Sequence, residues 1–293
     1  MSSITCFGEV LWDVFPTHKN IGGAPLNVAI RLASFGNNVN VISCVGDDAD
    51  GTSLVDYMNE HDVNTFGVQI SPNLKTSCVL VALDETGSAT YTIEKPCAWD
   101  EIQISDILKS ITISSDVFIF GSLSIRSITS KTTLLALLNE ARFKVFDVNL
   151  RKPHYKMGDL IELMTRADLI KFNDEEIIEI GEYFNFESDD MKELIEFISK
   201  KTNTEQICVT LGSKGALFYD EGNFLRNNGY SVKVKDTVGA GDSFLATLVD
   251  GILNHFDNQS TLNRACAVGA IVASKEGATP KVSQLEIEQM LKS

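Results

Sequence analysis

Several protein classes are excluded by what this 293-residue chain lacks. No apolar run approaches the roughly 18 residues that a bilayer-spanning helix needs. Basic residues are scarce: 25 Lys and Arg stand against 40 Asp and Glu, a formal charge of −15. With no local basic patch, so acidic a surface excludes nucleic acid and anionic membrane as partners. The six cysteines, Cys6, Cys44, Cys78, Cys97, Cys208 and Cys266, form no C-x-x-C pair. Several lie inside apolar stretches such as Ile42-Ser43-Cys44-Val45, so they read as small buried hydrophobes in a reducing cytoplasm. The histidines (His18, His61, His154, His255) show no metal-ligand spacing, which argues against structural zinc. Neither a Walker loop nor a dinucleotide G-x-G-x-x-G fingerprint occurs. Met1-Ser2-Ser3-Ile4-Thr5 leads directly into a strand, so no signal peptide is expected.

What is present is the composition of a soluble globular protein, 44% hydrophobic and 22% charged. The length suits one large α/β domain over residues 1–293. From Asp116 onward strands alternate with helices of about 10–15 residues, a pattern that implies a parallel sheet with ligands at the carboxyl ends of its strands. Ile4 to Glu9, Asn40 to Val45, Asp116 to Gly121, Phe143 to Asn149, Asp168 to Phe172 and Ile207 to Leu211 are the expected strands. Lys75 to Leu83 and Ala89 to Glu94 alternate instead like an antiparallel hairpin around Asp84-Glu85-Thr86-Gly87. The parallel core does not need such a hairpin, so a small β lid is expected, built mainly from about 10–21 and 63–97.

The stretch Asp236-Thr237-Val238-Gly239-Ala240-Gly241-Asp242-Ser243-Phe244 opens a helix. Leu245, Leu248, Val249 and Ile252 recur at i, i+3, i+4 and i+7, one apolar stripe. A polar strand, Tyr230 to Lys235, is expected to lead into it. Gly239 and Gly241 let the backbone turn tightly and expose N–H groups, and the helix dipole adds partial positive charge. Asp242 places a carboxylate beside those donors, a pairing suited to phosphoryl transfer. Ordinary helix capping explains the same residues in a bland way.

A second glycine-rich opening, Gly22-Gly23-Ala24-Pro25-Leu26-Asn27, starts a helix with Pro25 in its first turn and Gly36 just past its end. At 100° per residue Asn27 shares a polar stripe with Arg31 and Ser34, away from the core. An amide beside exposed N–H groups can hold hydroxyls, and capping is its bland reading.

Together, Gly22 to Ala29 and Asp236 to Phe244 resemble the two signatures of the ribokinase (PfkB-type) family of carbohydrate kinases. The motifs between them extend the resemblance over nearly the whole chain. It implies a three-layer α/β/α domain with a mostly parallel central sheet and a small β-sheet lid. It further implies Asp242 as the base taking the proton from a sugar hydroxyl. The N–H groups of Gly239, Ala240 and Gly241 match the family's anion hole. Asn173 and Glu176 match an N-x-x-E motif that places Mg²⁺ through water, and Thr210, Gly212, Lys214 and Gly215 match the ATP-binding turn. Asp13, Gly22, Gly23 and Asn27 match the sugar ligands, while Asp236, Val238 and Gly277 fall where relatives hold K⁺. Many relatives dimerise through their lids.

Within the family, Gly8-Glu9-Val10-Leu11-Trp12-Asp13-Val14-Phe15-Pro16, Gly22-Gly23-Ala24-Pro25 and Asp147-Val148-Asn149-Leu150-Arg151 look most like bacterial fructokinases. Only Lys75 and Lys95 are basic between Val63 and Pro96, which favours a neutral sugar over a sugar phosphate. Arg151 suits a carboxylate, so 2-keto-3-deoxygluconate kinase is the alternative, beside another ribokinase-like kinase. A non-catalytic sugar- or nucleotide-binding protein should have lost the base or the glycines, and this chain has both.

Overall fold

Asn38–Gly46 is buried at every position after its first, which requires a sheet covered on both faces. The computed structural model describes residues 2–83 and 89–293, with side chains outside positions 81–91. The expected turn at Asp84 to Gly87 lies outside the described residues. The chain divides into two compact units: residues up to Phe118 with 124–141, and residues 119–123 with 142–293. No linker marks the division, because strands and helices alternate straight through it.

The first unit carries β1 (Ser3–Phe7), β2 (Leu11–Val14), β3 (Lys19–Gly22), α1 (Ala24–Ser34), β4 (Asn38–Gly46), α2 (Ala49–Glu60) and β5 (Val63–Ser71). Next come β6 (Ser77–Leu83), β7 (Ala89–Ile93), α3 (Asp106–Ser114), β8 (Val117–Gly121), whose last three residues count with the second unit, and α4 (Ile128–Leu138). The second unit continues with β9 (Phe143–Asp147), α5 (Met157–Met164), β10 (Leu169–Asn173), α6 (Asp174–Tyr183), α7 (Met191–Thr202) and β11 (Gln206–Thr210). β12 (Ala216–Asp220), β13 (Asn223–Asn227), α8 (Ala240–Leu253), α9 (Asn258–Ala273) and α10 (Gln284–Met290) complete it.

Nine strands run in the order β13-β12-β11-β10-β9-β8-β1-β4-β5. The pairs β1–β4, β4–β5, β9–β10 and β10–β11 are parallel, and the β11–β12–β13 edge is antiparallel. Stacked rings fill the interior, with Phe120 and Phe146 5.1 Å apart. A separate four-stranded sheet, β3-β2-β6-β7, is the small sheet that the sequence predicts. Its extent needs correction: Val63–Ser71 is β5, an edge strand of the large sheet paired with β4. Among the described residues no helix is long and apolar enough to cross a membrane.

Two further expectations fail for physical reasons. Tyr230 to Lys235 forms no strand; the N–H groups of Lys235 and Asp236 bond to Ala273 O at the end of α9 instead. The stripe of Asn27 and Arg31 does not face water, because α1 is buried from Pro25 through Ala33. Burial pulls the Arg31 guanidinium down to about 10.

Candidate active site

The mouth of α8 is built by a turn that only glycine can make. Gly239 has φ 75, and a Cβ there would overlap Ala278 O. Ala240 N–H closes the turn onto Thr237 O at 3.2 Å, and Ser243 N–H starts the helix on Gly239 O at 2.8 Å. The Ala240 donor is thereby committed, which corrects the expectation of three free N–H groups. Those of Gly239 and Gly241 make no hydrogen bond among the described residues. Asp242 stands in the first turn, half-buried, while Val238 before it is 40% exposed, so the mouth reaches solvent.

Strand register supplies a partner that motif reading misses. β10 and β9 pair with Lys171 opposite Asp147, so both side chains leave the same face. Lys171 Nζ lies 2.9 Å from Asp147 Oδ1, with both residues buried. The same ammonium reaches the α8 mouth, where a Cβ on Gly241 would stand 3.4 Å from it. Burial disfavours its charge, but the carboxylates of Asp147, Glu176 and Asp242 outweigh burial and hold its pKa well above the usual lysine value. The visible signal was a lysine inside an apolar strand and an aspartate ending the neighbouring one.

Asn173 and Glu176 form the capping box of α6. Asn173 Oδ1 accepts from Glu176 N–H and Glu176 Oε2 from Asn173 N–H, both at 2.8 Å. Glu176 Oε1 accepts Leu150 N–H at 2.9 Å, which ties the segment after β9 to α6. Burial raises the Glu176 carboxyl more than Lys171 lowers it. Asn173 also faces Thr210 across the β10–β11 pair. The turn that follows, Gly212–Lys214, closes when Leu211 N–H reaches Gly215 O at 2.8 Å. Gly215 has φ 83 and Lys214 is exposed.

Asp236, Val238 and Gly277 are brought together. Asp236 Oδ1 accepts Val238 N–H at 3.0 Å, and Oδ2 accepts Gly277 N–H at 3.2 Å. Arg151 is exposed, and its Nη1 donates to Leu150 O at 3.0 Å.

The first unit assembles the other glycine-rich opening. Asp13 of β2 pairs with Asn20 of β3, and its carboxylate packs where a side chain on Gly22 would stand. Gly23, at φ 110, caps α1 and receives Asn27 N–H on its carbonyl at 2.9 Å. Asp13, Gly22, Gly23 and Asn27 therefore share one corner.

The chain as a whole is similar to proteins described as sugar kinases. A probable fructokinase of Arabidopsis thaliana is 27% identical over 99% of this chain and 97% of its own length. A fructokinase of Vibrio cholerae O395, solved with fructose, ADP and calcium, is 25% identical, covers 99% of both chains and superposes with a TM-score of 0.86. An uncharacterized sugar kinase of Pyrococcus horikoshii is 26% identical, covering 99% of this chain and all of its own, at a TM-score of 0.86. Residues 2–285 match the pfkB family of carbohydrate kinases. The fold is thus ribokinase-like, and the chain belongs to the PfkB family of carbohydrate kinases, phosphotransferases that act on a sugar hydroxyl.

Proposed function

We propose that this kinase uses ATP to convert fructose to fructose 6-phosphate, with Asp242 as general base. The observation that carries the reading is a half-buried aspartate in the first turn of α8, behind a glycine turn with two uncommitted N–H donors. The sugar hydroxyl gives its proton to Asp242 as its oxygen bonds to the γ-phosphorus. The bond to the bridging oxygen breaks, and ADP leaves. Gly239 and Gly241 N–H, with the positive helix end, face the charge on the transferring group.

Asp13, Gly22, Gly23 and Asn27 bind sugar hydroxyls in this reading, and Thr210, Gly212, Lys214 and Gly215 bind the nucleotide. The small sheet supports a neutral sugar: the one basic residue in its four strands, Lys19, is paired to Asp50. Fructokinases among the relatives support the particular sugar.

Asn173 and Glu176 would hold Mg²⁺ through its water shell, and the ion would supply charge screening to the nucleotide phosphates. No cluster of three or more His, Cys, Asp or Glu forms a metal cage among the described residues. Both Glu176 oxygens accept backbone N–H groups, so Asn173 and Glu176 suit an ion that keeps its water shell. K⁺ beside Asp236, Val238 and Gly277, a cytoplasmic location in keeping with the free cysteines, and a homodimer through the small sheet, where Leu80 is exposed, complete the proposal.

A coupled ADP-release assay over fructose, ribose, 2-keto-3-deoxygluconate and nucleosides is the test. Fructose gives the highest kcat/KM, and Asp242→Asn lowers kcat by ~10²–10⁴ while ATP still binds. Preference for another sugar sinks the substrate, and an undiminished kcat removes Asp242 as base. The exposed guanidinium of Arg151 favours 2-keto-3-deoxygluconate as the second reading.

A further inference from the structure

We propose that Lys171 is a positioning residue for phosphoryl transfer: its fixed charge behind the first turn of α8 strengthens the field on the transferring phosphoryl and steadies Asp242. This rests on Asp242 being the base.

A purely structural ion pair explains the geometry poorly. Burying two opposite charges gains little over a well-packed apolar pair, so the Lys171–Asp147 contact is weak as a stabilising device. Its placement makes it weaker still. The ammonium stands against Gly241, at the positive end of α8, where a cation is electrostatically unwelcome. Only carboxylates offset that, and three of them, on Asp147, Glu176 and Asp242, act on Lys171.

The pairing is also incomplete. Asp147 Oδ1 holds Lys171, while Oδ2 is buried with no hydrogen-bond partner. A site built for stability alone would satisfy both oxygens. What the arrangement does achieve is two positive features, a helix end and an ammonium, facing the same small volume. An anion arriving there is favoured by both, and a phosphoryl group gaining charge in transfer gains most.

The approach is close: a Cβ on Gly241 would stand in van der Waals contact with Nζ, 3.4 Å away. Asp242 is the next residue, so the charge acts on the base through the turn that holds it.

The experiment separates this role from a structural one. Lys171→Met leaves Asp147 unpaired in the interior and is expected to melt early. Lys171→Met with Asp147→Leu removes both charges and is expected to melt near the parent. In that double variant kcat falls on the order of 10²-fold, with both KM values changed less than about threefold. Lys171→Gln, which keeps a donor toward Asp147 without the charge, shows the same split and serves if the double variant does not fold. Parental kcat in either folded variant overturns the inference. Asp242→Asn runs beside them. If it alone loses activity, Lys171 is only structural; if it keeps activity, the base assignment fails and this inference with it.

Discussion

Gly239 and Gly212 both have left-handed backbones, φ 75 and φ 56, but their surroundings differ. A Cβ at Gly212 meets nothing within 4 Å, so Gly212→Ala costs only the left-handed strain, roughly 1–2 kcal/mol in urea melts. At Gly239 the same methyl overlaps Ala278 O, so Gly239→Ala costs several kcal/mol and moves the α8 mouth. The assay should therefore show kcat collapsing for Gly239→Ala, whereas Gly212→Ala, in the nucleotide turn, should act mainly on the KM for ATP. At this scale the α8 turn was legible, because glycine before a helix speaks for local chemistry. Lys171 was not. Its meaning lies in Asp147 across the β9–β10 register, and no sequence spacing reveals which residues face each other there.

α10 carries a titration handle of its own. Ser283 and Glu286 form its capping box, and Lys275 pairs with Glu286. The Lys275 ammonium, then the Ser283 N–H and hydroxyl, pull the Glu286 carboxyl from 4.5 to about 2. A lowered pKa stabilises the folded chain above the ordinary value and loses that stabilisation as pH falls toward the lowered one. Stability should therefore decline between pH 4.5 and about 2, and Glu286→Gln should flatten that part of the profile in chemical melts across the range. The group is largely exposed, so the change is small. Elements are legible in the sequence where both faces are covered, as in β4. Alternating stretches misled: Tyr230 to Lys235 looks like a strand, yet its partner is the end of α9. Val63–Ser71 is expected within the lid, yet it extends the large sheet. The stripe of Asn27 and Arg31 was visible on the helical wheel, but what covers it was not.

Across the whole molecule, thiols report on folding. Five of the six cysteines are buried, and only Cys78 is half-exposed. Burial pushes the thiols of Cys97 and Cys266 up to about 12 and that of Cys44 to about 11. A thiol reagent should label at most one equivalent quickly in the folded protein and all six after denaturation. More than one fast thiol would mean that the interior opens far more readily than its packing implies. The α/β class followed from the alternation of runs, whereas the division into two units did not. Nothing in composition changes where it falls.

Asp236 links remote parts of the chain. Its two oxygens clasp Val238, at the entrance of α8, and Gly277, beyond the exit of α9. Ala278 O occupies the space beside that clasp where a Cβ on Gly239 would stand. Shortening or loosening the last stretch of polypeptide would therefore be felt at the proposed site of phosphoryl transfer, as a loss of turnover out of proportion to any loss of stability.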